Sequence, residues 1–227
     1  MTAEFFKAIK QGNLDEVQRL LFMEPGLIHV KENGLSPIML AAYHHKPEIA
    51  GLLTARTVSL SIFEVAAIGH MQKLISHLAR DPELVNAYSE DGFQPLGLAC
   101  YFGHLDAAEY LVKAGALINS PSRNPLQATP LQSATAARHE KIALFLLSKG
   151  ADPNCREQGG YTPLHAAAQN GDLNLVRALL FNGADMNLAS NDGKTPLDLA
   201  VEAGHAEAAK LFKEGITRRF RVMRQKS

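Results

Sequence analysis

The nine histidines are the residues of this 227-residue sequence that would first suggest metal binding or proton transfer. Imidazole is a common metal ligand, and it titrates near neutral pH. His44 and His45 are adjacent, however, and adjacent residues of a helix point about 100° apart, which is poor geometry for sharing a metal. The sequence has neither a His-Glu-x-x-His nor a Cys-x-x-Cys motif. We therefore predict no metal and no cofactor.

The cysteines and acidic residues also lack the surroundings that catalysis needs. Cys100 replaces a small apolar residue in a helical pattern, and Cys155 has no general base beside it in the sequence. The acidic pair Glu90 and Asp91 is predicted to lie on a loop tip, where it faces solvent or a partner. Residues 157–160 combine two glycines with no phosphate-binding lysine, and they predict a turn. We therefore assign no catalytic residue.

The composition is that of an ordinary soluble domain. The chain has 23 basic and 23 acidic residues, and a net charge of zero argues against a protein that coats nucleic acid. No stretch approaches about 18 consecutive apolar residues, so we predict no transmembrane helix. The first residues read as an amphipathic helix rather than a signal peptide, and two cysteines are too few for a disulfide framework. We therefore predict a cytoplasmic protein.

A motif of about 33 residues recurs along most of the chain. The two fullest copies place Pro163 and Pro196 33 residues apart, and two looser copies lack the proline but keep the later glycine and leucines. A repeat of this length is typical of stacked helical units, each of which needs its neighbours to complete a core. We predict seven repeats, which are anchored near Glu4, Pro37, Ser61, Pro95, Pro130, Pro163 and Pro196.

Each element of the motif has a physical role in a pair of helices. Thr162 suits the N-cap, where its hydroxyl accepts a hydrogen bond from a free amide, and Pro163 suits the first helical position. Alanines such as Ala167 recur at helical spacing and let two helices approach closely. Gly171 suits the turn between the helices, and Gly183 suits a left-handed C-cap after the second helix. The motif therefore predicts two short helices and a connecting loop in each repeat.

The repeat resembles the ankyrin-repeat family over about residues 2–214. The motifs that carry the resemblance are Thr162-Pro163-Leu164-His165, Gly103-His104, Gly150-Ala151-Asp152-Pro153-Asn154 and Gly183-Ala184-Asp185-Met186-Asn187. The resemblance implies an all-α solenoid of stacked antiparallel helix pairs, with β-hairpin-like loops, called fingers, between repeats. It also implies that His165 braces neighbouring repeats by hydrogen bonds. We accordingly predict one repeat domain over residues 1–215 and a basic tail over 216–227.

Two connections depart from the regular repeat length. The segment 54–60 is too short for a normal finger, so we predict a gap there in the row of fingers. The segment 116–129 is two residues longer than the matching segment 151–162, and it is rich in turn-forming residues. The N-terminal third is therefore predicted to be the weaker binding platform, and the longer finger borders the stronger one.

The resemblance implies that a protein partner binds the concave surface formed by the second half of each first helix and by the finger tips. Four aromatic residues fall at these positions, and aromatic groups are frequent anchors of interfaces. The alternative is that Tyr101 and Phe102 pack under the next finger. The complete predicted binding surface comprises Phe93, Tyr101, Phe102, Gln158, Tyr161, Gln169, Asn170, Asn191, Asp192 and Lys194.

The resemblance favours a non-catalytic adaptor that binds another protein as a monomer and has no small-molecule substrate. A narrower form of this hypothesis is a dedicated inhibitor or chaperone of one enzyme. A further hypothesis is an enzyme whose site is hidden in the groove, although no acid–base or nucleophile pattern supports it. The basic tail over 216–227 could instead contact nucleic acid or an anionic membrane, but a solvated terminus is the simpler interpretation.

Overall fold

The computed structural model describes residues 1–214, and the predicted basic tail over 216–227 lies outside the described residues. The chain divides into an N-terminal unit, residues 1–116, and a C-terminal unit that begins at Leu117. Each unit is built from pairs of short α-helices that are joined by loops. A single repeat domain over residues 1–215 stays a prediction.

The N-terminal unit contains four pairs of helices. Only two or three residues separate the helices of a pair, and so short a connection reverses the chain direction. Two short 3₁₀ helices, Pro25–His29 and Pro82–Asn86, follow the first and the third pair. The helices are α1 (Thr2–Gln11), α2 (Leu14–Met23), α3 (Pro37–Tyr43), α4 (Pro47–Arg56), α5 (Ile62–Ile68), α6 (Met71–Arg80), α7 (Pro95–Phe102) and α8 (Leu105–Lys113).

The C-terminal unit contains three further pairs, which are connected in the same way. A proline occupies the first turn of each first helix in this unit, where the missing amide hydrogen leaves no hydrogen bond unmade. The helices are α9 (Pro130–Ala136), α10 (Glu140–Ser148), α11 (Pro163–Asn170), α12 (Leu173–Phe181), α13 (Pro196–Glu202) and α14 (206–214).

The two looser copies of the motif begin slightly off their predicted anchors. Helix α1 begins at Thr2, and helix α5 begins at Ile62 because Ser61 is its N-cap. The backbone N–H of Glu64 donates to Ser61 Oγ over 3.2 Å, and the Glu64 carboxylate accepts from the Ser61 backbone N–H over 2.7 Å. This reciprocal cap starts α5, which lacks the threonine and proline that open first helices such as α11.

The first helices of successive pairs pack side by side within each unit. Helices α1, α3, α5 and α7 form one row, and helices α9, α11 and α13 form the other. Small side chains such as Ala66, Ala99 and Ala167 are fully buried between them. Because no pair buries its apolar face alone, the core of each unit lies between pairs. This arrangement confirms the predicted fold class, an all-α solenoid of stacked helix pairs.

The next helix pair leaves no space for a side chain at the turn glycine of a pair. Gly171 has a φ of +70°, and a Cβ built on it would lie 2.5 Å from His205 Nδ1. The His205 imidazole rests on this glycine because its Nε2 donates to the Gln169 carbonyl oxygen over 3.0 Å. Gly69 and His104 repeat the same close approach in the N-terminal unit. These histidines are therefore structural.

The finger loops are turns that a few hydrogen bonds close. The Ser89 N–H donates to the Phe93 carbonyl over 2.9 Å, and the Ser190 N–H donates to the Lys194 carbonyl over 2.8 Å. Residues 57–61 join α4 directly to α5 and form no finger. Helices α4 and α6 consequently make at most a marginal contact, whereas α10 and α12 pack directly on each other.

Two leucines of the sixth repeat, one in each of its helices, differ in exposure. Leu164 is fully buried in α11, but Leu180 in α12 is only partly buried. The buried face of α12 holds Leu175, Val176 and Leu179. Position 180 lies about 100° further around the helix than Leu179, which turns its side chain away from the core.

Truncation of Leu164 should measure the packing between pairs. Leu164→Ala is expected to cost roughly 2–5 kcal/mol in the free energy of unfolding, because the removed atoms leave a cavity that the neighbouring helices fill only partly. Lys210→Ala, at an exposed position of α14, should change it by less than about 0.5 kcal/mol. Urea denaturation of both variants checks this, and equal small effects would show that the core is misplaced.

In two repeats of the C-terminal unit, one buried polar side chain joins the repeat to the next. His165 Nδ1 accepts hydrogen bonds from the Thr162 N–H (3.0 Å) and hydroxyl (2.8 Å), and its Nε2 donates to the Lys194 carbonyl over 3.0 Å. In the preceding repeat, Gln132 uses its amide in the same way. Its oxygen accepts from the Thr129 N–H over 2.9 Å, and its nitrogen donates to the Tyr161 carbonyl over 3.0 Å. The bracing role implied for His165 is thus present.

The equivalence of His165 and Gln132 predicts how the stability of the protein depends on pH. Burial lowers the pKa of His165 below its ordinary value of 6.5, so the unfolded chain takes up a proton at a higher pH than the folded one. Stability should therefore fall as the pH decreases below that value, by at most about 1.4 kcal/mol per pH unit for this one proton. His165→Gln keeps the hydrogen bonds that Gln132 makes but does not titrate. The difference between wild type and variant in urea midpoints, at about pH 7.5 and about pH 5.5, checks this. An equal loss in both proteins would contradict it.

Candidate protein-binding site

The aromatic residues predicted as anchors in the N-terminal unit form a ring cluster with Tyr43. The Tyr101 and Phe102 ring centroids lie 5.1 Å apart and nearly perpendicular. Tyr43 lies 5.1 Å from Phe102 and 6.0 Å from Tyr101, so all three rings touch. Tyr43, Phe93 and Phe102 also pack against the buried core of the unit. Because Phe93, Tyr101 and Phe102 are half-buried in this way, packing is one of their roles.

Tyr43 was not among the predicted site residues, although the sequence holds the signal for it. Tyr43 follows the opening proline of α3 by six residues, as Tyr101 follows the opening proline of α7. Equivalent positions of stacked repeats lie along one face, and the intervening third repeat has only the small Ala67 six residues after its anchor Ser61. Repeat alignment over the second copy would therefore have placed Tyr43 on the same face as the other rings, with only an alanine between them.

The acidic pair on the finger of the N-terminal unit is used within the unit. Tyr43 Oη donates to Asp91 Oδ2 over 2.8 Å, and the hydroxyl of Ser89 also donates to Asp91. Glu90 remains exposed but forms an ion pair with Lys31 of the preceding finger. Burial, together with the charge of Asp91, raises the pKa of Tyr43 well above its ordinary value. Asp91 therefore fixes the finger to α3. The prediction that this acidic pair faces solvent or a partner is wrong for Asp91.

In the C-terminal unit, hydrogen bonds join three finger loops, residues 122–128, 157–161 and 190–194, edge to edge. The Gln158 N–H donates to the Leu126 carbonyl over 3.0 Å. The Asn191 N–H donates to the Gly159 carbonyl over 2.9 Å, and the Asn191 side-chain amide donates to the Gln158 carbonyl over 2.8 Å. The longer finger is thus the first member of a connected row.

Side chains add a second layer of contacts to this row. Tyr161 Oη donates to both Asp192 carboxylate oxygens, over 3.0 and 3.1 Å, and the Tyr161 ring packs edge-on against His165. The hydrogen bond from Ser190 is the main cause that lowers the pKa of Asp192, and the hydrogen bond from Tyr161 lowers it further. Lys194 Nζ pairs with the Glu202 carboxylate over 2.7 Å. Several residues predicted to be free for a partner are therefore also bonded to one another.

A polar pocket of about 270 Å³ opens between this row and the ends of two first helices. The finger 157–161 forms one wall, and the second halves of α9 and α11 form the other. Three predicted site residues, Tyr161, Gln169 and Asn170, line it together. The full lining comprises Gln132, Thr135, Ala136, Glu157, Tyr161, Thr162, Ala166, Gln169 and Asn170.

Glu157 is the ionisable carboxylate of this pocket, and it was read in the sequence as part of a turn. Its backbone closes that turn, because its N–H donates to the Tyr161 carbonyl over 3.1 Å. Its side chain forms no hydrogen bond or ion pair with residues 1–214. Burial raises the pKa of Glu157 above its ordinary value. Nothing in the local sequence distinguishes this glutamate from a solvated one.

A second cavity, of about 760 Å³, lies in the N-terminal unit. The turn after α3 and the small residues of α4 form one side, and the end of α5 forms the other. Its lining is largely apolar and includes Ala50, Gly51, Ala55, Ile68 and Phe102.

The two cysteines are poor nucleophiles in their surroundings. Burial raises the pKa of the fully buried Cys100 thiol far above its ordinary value. Burial also raises the pKa of Cys155 to about 11, and its sulfur lies 3.1 Å from the Thr129 hydroxyl. The reactive thiolate is therefore scarce at neutral pH.

Among residues 1–214, no three histidine, cysteine, aspartate or glutamate side chains are placed to bind a metal together. No helix of the same range is both long enough and apolar enough to cross a bilayer.

Known proteins resemble this chain over parts of their length. Ankyrin repeat and SAM domain-containing protein 6 of Rattus norvegicus is 34% identical over 44% of the chain, and target of rapamycin complex 2 subunit AVO2 of Saccharomyces cerevisiae is 28% identical over 71%. DNA-binding protein RFXANK of Homo sapiens is 41% identical over 28% of the chain. These matches cover 11%, 41% and 25% of the rat, yeast and human proteins, so the chain spans less than half of each.

The family model of ankyrin repeats matches the sequence in three copies, over residues 62–157 and 149–218. These ranges together span more than half of the chain. They include the Thr-Pro-Leu-His element around His165, whose hydrogen bonds join adjacent helix pairs. The count of seven repeats stays a prediction, but sequence and fold agree that the chain belongs to the ankyrin-repeat family.

Proposed function

We propose that this protein is a non-catalytic interaction module and that a protein partner contacts the fingers and first helices of its C-terminal unit. The observation that carries this proposal is the row of hydrogen bonds between the finger loops 122–128, 157–161 and 190–194. These bonds hold the loop backbones in one arrangement before a partner arrives. Binding then does not have to order the loops, which reduces its entropic cost.

The same surface offers side chains that the fold leaves available. Gln158 and Gln169 are exposed, and their amide groups form no hydrogen bond with residues 1–214. The half-buried side chains of Tyr161 and Asn170 flank them at the pocket. An interface needs such groups, because polar atoms that it buries must find partners. These four residues form the proposed centre of the surface, and Asn191, Asp192 and Lys194 form its edge.

The ring cluster of the N-terminal unit is proposed as a secondary contact. Phe93, Tyr101 and Phe102 each keep part of their surface exposed, and half-buried aromatic groups serve as anchors in many interfaces. Their contacts within the unit make them weaker candidates than the exposed glutamines of the C-terminal unit.

Family membership supports a binding role. The yeast relative is by its name a subunit of a complex, and the human relative is by its name a DNA-binding protein. The chain spans only part of each, so neither activity is transferred. A dedicated inhibitor or chaperone of one enzyme would use the same surface, and no residue singles out that narrower role.

We further propose that the protein acts in the cytoplasm as a monomer. Both cysteines are free, and Cys100 is buried as a small apolar residue, which suits a reducing compartment. The monomeric state is proposed by analogy with the family.

Removal of the two exposed amides should weaken partner binding without unfolding the protein. The double variant Gln158→Ala with Gln169→Ala is expected to bind a partner captured from the native lysate at least about tenfold more weakly, equivalent to ~1.4 kcal/mol. The melting temperature should stay close to that of wild type, because both side chains are exposed.

A matched control carries Asn174→Ala and Arg177→Ala, at two exposed positions of the second helix α12. It should bind as wild type does. Affinity measured by biolayer interferometry and melting by calorimetry separate the two effects. Unchanged affinity in the first variant, or equal loss in the control, would show that the partner binds elsewhere.

A further inference from the structure

The polar pocket of the C-terminal unit is small for a drug-sized ligand. Its volume of about 270 Å³ lies below the usual range of roughly 300–1,000 Å³ for pockets that enclose small molecules. It opens on the proposed interaction surface, between the finger 157–161 and helix α11. A cavity of this size and place fits a single side chain that projects from a bound protein.

The charge of the pocket points to a cation. Glu157 supplies a carboxylate, and no lysine, arginine or histidine belongs to the lining. Several other carboxylates of this unit accept hydrogen bonds within it, as Asp198 does from the Thr195 N–H and hydroxyl over 2.9 and 2.6 Å. Glu157 lacks such bonds from residues 1–214. An unpaired, partly buried carboxylate is costly, and an incoming cation removes that cost.

The remaining polar groups of the pocket favour hydrogen-bond donors. The Asn170 amide nitrogen donates to the Thr135 carbonyl over 3.1 Å, so the Asn170 side-chain oxygen is left as an acceptor. The Gln132 amide is already used on both sides. The pocket therefore presents a carboxylate and an amide oxygen. A guanidinium has five donors and no acceptor, and its planar fork can bond a carboxylate and a second acceptor together.

We propose that this pocket is an arginine-binding subsite, in which Glu157 pairs with the guanidinium of an arginine side chain from the protein partner. This inference rests on the proposed function, because a partner has to supply the arginine. The arginine subsite adds a chemical requirement to the proposed function: the partner segment that crosses the finger 157–161 must contain a basic residue. The guanidinium would also lower the pKa of Glu157, which burial now raises.

The test uses small probes and the full chain. N-acetyl-arginine methylamide is titrated into ¹⁵N-labelled protein, with the isosteric but uncharged N-acetyl-citrulline methylamide as the matched probe. The arginine probe is expected to shift the signals of residues that line the pocket, including the Gln169 and Asn170 side-chain amides. The citrulline probe should bind at least roughly tenfold more weakly, since a charge-assisted hydrogen bond is about twice as strong as a neutral one.

Two variants locate the interaction. Glu157→Gln should weaken the arginine probe by roughly tenfold, whereas Glu207→Gln, at an exposed position of α14, should have no effect. The carboxyl ¹³C signal of Glu157 gives an independent measure, and its pKa should fall when the probe saturates the protein. Equal binding of the two probes, unchanged binding by Glu157→Gln, or an unmoved pKa of Glu157 would each overturn the proposal.

The result is separable from the proposed function. A partner that still binds the C-terminal unit while the arginine probe fails would refute the arginine subsite alone. If Glu157→Gln abolishes binding of the arginine probe but no partner depends on Gln158 and Gln169, the arginine subsite stands and the larger interaction surface is refuted.

Discussion

The stacking of the C-terminal unit depends on buried hydrogen-bonding side chains that each belong to two repeats at once. His165 in one repeat and Gln132 in another accept hydrogen bonds from the cap of their own helix and donate to the loop of the next repeat. A helix pair of this length cannot bury its own apolar face. Each polar bridge fixes how one pair lies on its neighbour, and the alanine-lined contact between first helices follows from that spacing.

This constraint also decides which side chains remain for binding. In the C-terminal unit, residues that brace neighbours are buried, whereas some side chains of the fingers and of the first-helix ends stay exposed. In the C-terminal unit the fingers are further joined by backbone bonds, so their exposed amides Gln158 and Gln169 stand on a fixed frame. In the N-terminal unit the short connection 57–61 omits one finger, and aromatic rings pack on one another at the ends of α3 and α7. The two units therefore offer different surfaces from one repeat plan.

The sequence predicted the elements whose signal is local. Threonine, proline and turn glycine mark helix starts and turns, because capping and backbone conformation depend on adjacent residues. The exposure of site residues depended on distant contacts and was harder to predict. The position of Tyr101 in its repeat was clear, but its contact with Tyr43 joins residues 58 apart in sequence. Glu157 looked like an ordinary turn residue, because its isolation is a property of the folded pocket.

The most direct test of the central claim is site-specific photo-crosslinking in the native lysate. The photoreactive residue p-benzoylphenylalanine is placed at position 169, on the proposed surface, and in a separate protein at position 177, on the exposed side of α12. The account predicts a light-dependent adduct with a partner protein from position 169 and none from position 177. An adduct from position 177 alone would contradict it, because the partner would then bind the second helices rather than the fingers and first helices.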